Sequence, residues 1–456
     1  MTVDAVSVPY LPAQPLAKGP GLLTPETLVK AVTARMTAQI RVEESATGRV
    51  VDAERRDQIA EVILAEELEA IAHAELSAGR PMPTAEAEAD LARRARNHLF
   101  GLGGFQPYLE LDDVENINIL GHDKVFLRLT GNRRVRGEWP VAASDDELVD
   151  LIRMVAARSG EDERRFDRGS PIVDAQLPDG SRMNAVAWVS RRPTVSIRIH
   201  RYPTATMTTM LDLGVVDEDL AAFLSAAVKA RMNILIAGGP GTGKTTLLRA
   251  LASQISPAES LITIEDSREL NLDADAQAHP EVRSLQSRPG NIEGEGEISL
   301  AVLTRAALRQ APDRVIVGEV RGEEVVQMFK AMSQGSDGSM ATIHASDSRE
   351  VFVKLATYAA EAPSRPGVTE VNLYIASAVD LIVQLDYTTD GITRVISSVR
   401  EVSDADGENL VTNEVFEPDG DNRARATGVI SDKRARKLAA AGLDPDVLRA
   451  ALPREW

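Results

Sequence analysis

Eight residues constrain this chain more than any others. Gly238-Gly239-Pro240-Gly241-Thr242-Gly243-Lys244-Thr245 fits the pattern G-x-x-x-x-G-K-[ST], and Thr246 follows. An apolar run, Ile234-Leu235-Ile236-Ala237, leads in, and Leu247-Leu248-Arg249-Ala250-Leu251 leads out. Strand, glycine-rich loop and helix in that order form a phosphate cradle. The glycines let the backbone curl so that several N–H groups point inward at phosphate oxygens. The helix N-terminus adds its partial positive charge. In such a loop Lys244 is expected to reach the β- and γ-phosphates of ATP, and the Thr245 hydroxyl to ligate Mg²⁺.

A loop of this kind needs a sheet with its strand ends aligned. From 215 to 402 the pattern alternates accordingly. Helices are expected at 217–230, 245–254, 300–310 and 323–333, and strands at 234–237, 261–265, 314–317 and 339–343. That order predicts an α/β domain with a mainly parallel sheet. Upstream, 101–203 has short β-like runs at 117–120, 125–129 and 195–199, turn signals between them, and one helix at 145–158. It reads as a small α+β domain, joined to the next by a linker at 204–214.

Residues 25–100 read as a helical region, with Ile59, Val62, Ile63, Leu68 and Ile71 at helical spacing and Pro81 and Pro83 interrupting. Residues 1–24, rich in proline and glycine, are expected to be a flexible tail. The C-terminal extension, 403–456, reads as an acidic loop at 417–421 and a short helix near 432–441.

Charge and cysteine content exclude several functions. Acidic residues outnumber basic ones 69 to 51, for a net charge of -18. A protein that coats nucleic acid needs a basic face, so no direct nucleic-acid partner is expected. With no cysteine there is no disulfide, no thiolate metal site and no cysteine nucleophile. No apolar stretch approaches the roughly 20 residues of a membrane-spanning helix, and residues 1–21 do not read as a secretory signal peptide.

Splitting a phosphoanhydride takes carboxylates to hold magnesium and to orient water. Two acidic segments follow expected strands, where α/β sheets carry their chemistry. One is Glu265-Asp266-Ser267-Arg268-Glu269, the other Gly318-Glu319-Val320-Arg321. Glu265 and Glu319 are the candidates. The bland alternative for Glu265 and Asp266 is a solvated loop or a helix cap by Asp266. Gly318 stands where many P-loop enzymes carry an aspartate. His344 follows another strand; a lone histidine is more often structural. Glu323, Glu324 and Glu361 read as surface or salt-bridge residues, and Arg133, Arg134, Arg136, Arg191 and Arg192 as solvated loop charges.

Taken together, the blocks at 238–245, 263–270, 313–322 and 338–345 resemble the Walker A loop, Asp box, Walker B region and His box of the type II/type IV secretion ATPases. Ser170-Pro171-Ile172-Val173-Asp174-Ala175, Leu177-Pro178-Asp179-Gly180-Ser181-Arg182 and Ser196-Ile197-Arg198 make the sequence most similar to the Flp (tight-adherence) pilus assembly, CpaF-like, branch. One departure is Ser336, where that branch usually has histidine.

The resemblance implies a RecA-like P-loop motor domain preceded by a smaller α+β domain, with nucleotide between them. It implies an ATPase working as a homo-hexamer, cytoplasmic, peripheral at the inner face of the membrane when assembled with inner-membrane platform proteins. It implies that Glu265 and Glu319 share water activation and magnesium binding, and that His344 contacts the γ-phosphate region. Arg182 and Arg198 are implied to reach the nucleotide, and Arg305, Arg309 and Arg321 less strongly. A conjugative DNA-transfer or effector-export ATPase is the nearest alternative. A nucleotide-gated ring with little turnover is the more distant one.

Overall fold

The computed structural model describes residues 25–47, 50–77, 79, 84–158, 165–288, 290 and 296–449. The expected tail at 1–24 and the interrupting Pro81 and Pro83 lie outside the described residues. The chain divides into two compact units between Ile199 and His200.

The first unit opens with three helices, α1 (Pro25–Thr47), α2 (Ala53–Ser77) and α3 (Ala85–Leu99). Leu28, Val32, Ile59, Ile63, Leu64 and Ala95 make their shared core, and Leu68 and Ile71 pack on it. Val62 departs from the expected stripe and is exposed. The glutamates between the apolar positions of α2 meet arginines of the other helices: Arg35 pairs with Glu66 and Glu67, and Arg96 with Glu61.

A short helix α4 (Gln106–Leu109) then leads to β1 (Val114–Leu120), β2 (Val125–Leu129) and β3 (Arg134–Arg136). Helix α5 (Asp145–Arg158) and β4 (Ile172–Gln176), β5 (Arg182–Val186) and β6 (Thr194–Arg198) complete the unit. The six strands form one antiparallel sheet, ordered β3-β2-β1-β6-β5-β4. Alternate residues such as Ile117, Ile119, Val195 and Ile197 share a core with Leu148, Ile152 and Val155 of α5. Arg192 is not the solvated charge expected. Its guanidinium grips Asp145 at 2.7 Å and Asp123 at 2.7 Å. That pairing, chiefly the hydrogen bonds from Arg192, holds the Asp145 carboxyl well below the usual carboxylate range.

The second unit runs through α6 (Met207–Asp212), α7 (Glu218–Lys229), β7 (Ile234–Gly238), α8 (Lys244–Ala252), β8 (Leu261–Glu265), β9 (Val282–Gln286), α9 (Leu300–Ala307), β10 (Arg314–Val320), α10 (Glu324–Ser333) and β11 (Met340–His344). It continues with α11 (Glu350–Glu361), α12 (Val368–Ala378), β12 (Leu381–Tyr387), β13 (Arg394–Asp406), β14 (Asn409–Pro418), β15 (Ala424–Ala426) and α13 (Asp432–Ala440). Its nine-stranded sheet is ordered β15-β14-β13-β12-β7-β11-β10-β8-β9. The block from β12 to β9 is parallel, and β13 to β15 are added antiparallel.

Both faces of the sheet are covered, as a parallel sheet requires. Ile234 and Ile236 pack with Phe223, Leu224 and Leu247 on one face. Leu235 and Ala237 pack with Val315, Val317 and Phe329 on the other. This is the RecA-like α/β arrangement expected, with the glycine-rich loop joining a central strand to its helix. Strand β13 crosses residues 402 and 403, where a change of domain was expected, and the C-terminal segment supplies sheet rather than only loop and helix. The acidic residues expected to form a loop at 417–421 lie at the end of β14 and in the turn before β15.

Candidate functional site

Because β7, β8, β10 and β11 run parallel, the residues at their C-terminal ends gather along one edge. Register pairs His344 with Gly238, Ile343 with Val320, and Val317 with Ile264. The phosphate loop, Glu265, Gly318, Glu319 and His344 thus share that edge.

The loop starts where β12 passes close by. A Cβ on Gly238 would stand 2.8 Å from the Leu385 carbonyl oxygen and 2.6 Å from Thr242 Oγ1, so only glycine fits. Thr242 donates its hydroxyl to the Gly239 carbonyl at 2.9 Å, and Pro240 is exposed at the tip. Gly241 and Gly243 take φ of 75° and 96°, a left-handed region open to glycine. Lys244, in the first turn of α8, is buried. Its Nζ donates to Gly238 O at 3.0 Å and Gly239 O at 2.9 Å, and meets His344 Nδ1 at 3.2 Å. Thr246 is half-buried beside Thr245 on the same helix.

Two chains of polar contacts radiate from the loop. The first runs Lys244–His344–Glu319–Arg321–Asp266. His344 Nε2 is 2.8 Å from Glu319 Oε1, and Arg321 holds the other Glu319 oxygen at 2.5 Å and Asp266 at 3.2 Å. Burial alone would raise the Glu319 pKa, but His344 and Arg321 outweigh it and hold it at about 2. Glu319 Oε1 is buried with no aligned hydrogen bond.

The second chain runs from Thr245 through Glu269 to Glu265. Thr245 Oγ1 donates to Glu269 Oε2 at 3.1 Å. Glu265, 4% exposed, accepts the Glu269 and Leu270 N–H groups on Oε1, both at 2.9 Å. Burial pushes its pKa from 4.5 to about 7. Glu265 is therefore neither a solvated loop residue nor followed by a helix that Asp266 could cap. Asp266 instead accepts from Ser287 and Arg321. Gly318 makes room for Glu265: a Cβ there would lie 3.0 Å from Glu265 Cγ.

Other expected residues stand elsewhere. Arg182 and Arg198 belong to the first unit, directly opposite each other on β5 and β6. Arg305 lies on α9, with Arg309 in the turn that follows. Glu324 is buried rather than at the surface, and accepts the N–H groups of Arg321 and Gly322. Ser336 is buried before β11, at the strand end opposite His344, and donates to Pro312 O at 3.2 Å.

The sequence reading missed Glu269 and Arg249. Arg249, 4% exposed on α8, donates to Tyr202 O at 2.7 Å and to the carbonyls of Glu269 and Leu270. An arginine inside the run Leu247–Leu251 is the signal that could have found it: a charge on a buried helix must be paired.

The edge carries oxygen donors of the kind a divalent cation takes. Among the described residues no three acidic or histidine side chains form a complete metal cage. Magnesium, which keeps waters and shares phosphate oxygens, needs only one or two protein ligands. The Thr245 hydroxyl, the Glu269 carboxylate beside it and the buried Glu319 Oε1 are donors of that kind.

A glycine-rich phosphate loop on a parallel sheet, with the carboxylates of Glu265 and Glu319 and a histidine on the same edge, defines a P-loop nucleotide-binding protein. Residues 142–428 match the family model described as Type II/IV secretion system protein, and the chain belongs to that family. A Mycobacterium tuberculosis protein named for conjugal transfer is 34% identical over 272 residues, 58% of this chain and 74% of that protein. VirB11 of Rhizobium radiobacter is 30% identical over 313 residues, 61% of this chain and 87% of VirB11. Among solved structures, the VirB11 ATPase of the Brucella suis type IV secretion system, in complex with sulphate, has 25% identity and a TM-score of 0.36, covering 67% of this chain and 95% of its own.

Proposed function

We propose that this chain is an ATP-hydrolysing motor of a secretion or pilus-assembly machine. The observation that carries the reading is the single polar chain linking Lys244 of the phosphate loop, through His344, to Glu319. A lysine that binds phosphate and a carboxylate that acts on the same phosphate must lie within reach of one another.

In this reading residues 238–245 wrap the triphosphate, and Lys244 exchanges its loop carbonyls for β- and γ-phosphate oxygens. Thr245 would hold Mg²⁺, with Glu319 or Glu265 supplying the carboxylate. A cation bound there would supply charge neutralisation for the phosphoryl group. Glu319, ionised and fixed by Arg321, orients water, and His344 contacts the γ-phosphate side. Glu265, at the end of β8, supports the same edge by holding the backbone of 269–270. Arg182 and Arg198 are assigned to anion contact, as charge-assisted donors.

The assembly we propose is a homo-hexamer acting on inner-membrane platform proteins from the cytoplasmic side. Among the described residues no helix is long and apolar enough to cross a membrane. The blocks at 170–175, 177–182 and 196–198 support the Flp-type, CpaF-like branch. A second reading, DNA transfer or effector export, is favoured by the relatives named VirB11 and for conjugal transfer.

Phosphate release from Mg-ATP by the purified chain tests the motor reading, with particle mass measured alongside. Turnover that falls at least about 100-fold in Glu319→Gln supports it. Nucleotide binding without turnover in the wild type, alone and with platform proteins, would instead make the chain a nucleotide-gated ring.

A further inference from the structure

Two side chains outside every motif named above converge on one atom of the phosphate loop. Strand β12 runs beside β7, with Leu385 opposite Gly238, where β7 ends and the loop begins. It continues two residues further to Tyr387, whose cross-strand partner is Arg394, the first residue of β13. Tyr387 Oη donates to Gly241 O at 3.0 Å, and Arg394 Nε donates to the same oxygen at 2.8 Å. The Arg394 guanidinium lies 5.7 Å from the Tyr387 ring centroid, so each fixes the other. The stem of Arg394 runs along Gly243, where a Cβ would meet Arg394 Cδ at 3.5 Å.

The hairpin that carries the pair is itself braced. Thr388 and Asp390 close its turn, and Asn422 Nδ2 donates to Tyr387 O at 2.8 Å. These contacts place the two donors beside the loop.

In a trans peptide the carbonyl and the following N–H point in opposite directions. Pinning the Gly241 carbonyl towards the hairpin fixes the plane that carries the Thr242 N–H, on the opposite side. A glycine at φ 75° has no side chain to hold this plane by itself. We propose that Tyr387 and Arg394 are positioning residues that preorganise the phosphate loop, and so set its affinity for the triphosphate. The proposal rests on the nucleotide-binding reading above. One hydrogen bond from a neutral donor changes affinity about 2- to 10-fold, and one from a charged donor about 10-fold or more.

The test uses the full chain and the variants Tyr387→Phe, Arg394→Gln, the double variant and Lys244→Ala. Steady-state hydrolysis and equilibrium binding of a fluorescent Mg-ATP analogue are measured, with melting temperature in the absence of nucleotide. Tyr387→Phe should weaken binding about 3-fold and Arg394→Gln about 10-fold. KM should rise by more than kcat falls. The double variant should lose less than the product of the single effects, because both donors serve one carbonyl. The nucleotide-free melting temperature of Tyr387→Phe should match the wild type. If Lys244→Ala abolishes binding while both single variants bind as the wild type does, the positioning role is overturned. If Lys244→Ala itself binds as the wild type does, the nucleotide reading of the loop falls, and this inference with it.

Discussion

Gly318 and Glu265 share one volume: a Cβ on Gly318 would press on Glu265 Cγ at 3.0 Å and Oε1 at 3.4 Å. The glycine that replaces the aspartate of many P-loop enzymes is thus the complement of a buried glutamate on the neighbouring strand. Gly318→Ala should displace Glu265 from the Glu269 and Leu270 N–H groups and cost about 1–3 kcal/mol of stability. Its kcat should fall at least about 10-fold, as in Glu265→Gln, and the two changes together should cost little more than either alone. Denaturant titration and phosphate release read both quantities.

Arg314 is 1% exposed, and Glu259 grips it with two bonds of 2.7 and 2.8 Å. Glu259→Gln leaves a buried guanidinium without its counter-charge and should cost about 3 kcal/mol at neutral pH. Burial would raise the Glu259 pKa, but Arg314 and Arg231 hold it below the usual 4.5. A lowered folded-state pKa means the stabilisation is present above about pH 4.5 and is lost as pH falls below it. The gap between wild type and variant, measured by urea unfolding, should narrow as pH drops below 4.5.

Asn233 is the polar knot beneath β7. Its side chain donates to Met332 O and Ala378 O and accepts from the N–H groups of Gly338 and Ser339. It is 4% exposed, so Asn233→Ala strands four backbone groups. A loss of about 2–4 kcal/mol is expected. Asn233 sits at the end of β7 remote from the phosphate loop, so KM for ATP should change less than about 2-fold in the folded fraction. Unfolding curves and kinetics at low temperature check both statements.

Much of the second unit was legible because its strands read as short apolar runs ahead of glycine-rich or acidic turns. Asp217, expected to begin a helix, caps α7 by accepting the Leu220 N–H. The edge bearing Lys244, Glu319 and His344 follows from parallel strands ending together. The hairpin β13–β14 was hidden because buried polar residues, Ser397, Ser398, Arg400 and Glu401, interrupt its apolar core positions Ile396, Val399 and Val402. Arg400 pairs with Glu414, and Glu401 takes Arg434, Asn413 and Ser431, so no period-two apolar pattern survives. Glu269 was in view within the acidic block, but only the turn after β8 brings its carboxylate to Thr245. Val62 fits the apolar spacing of α2 yet faces outward, since periodicity sets a stripe and not its edges.

We propose that residues 238–245 hold a nucleoside triphosphate. Titration calorimetry of Mg-ATP into the purified full chain, and into Lys244→Ala, tests it most directly. Micromolar to submillimolar saturable binding by the wild type, weakened at least about 100-fold in the variant, is the predicted result. No heat of binding by the wild type at millimolar Mg-ATP, or equal binding by both proteins, would contradict it.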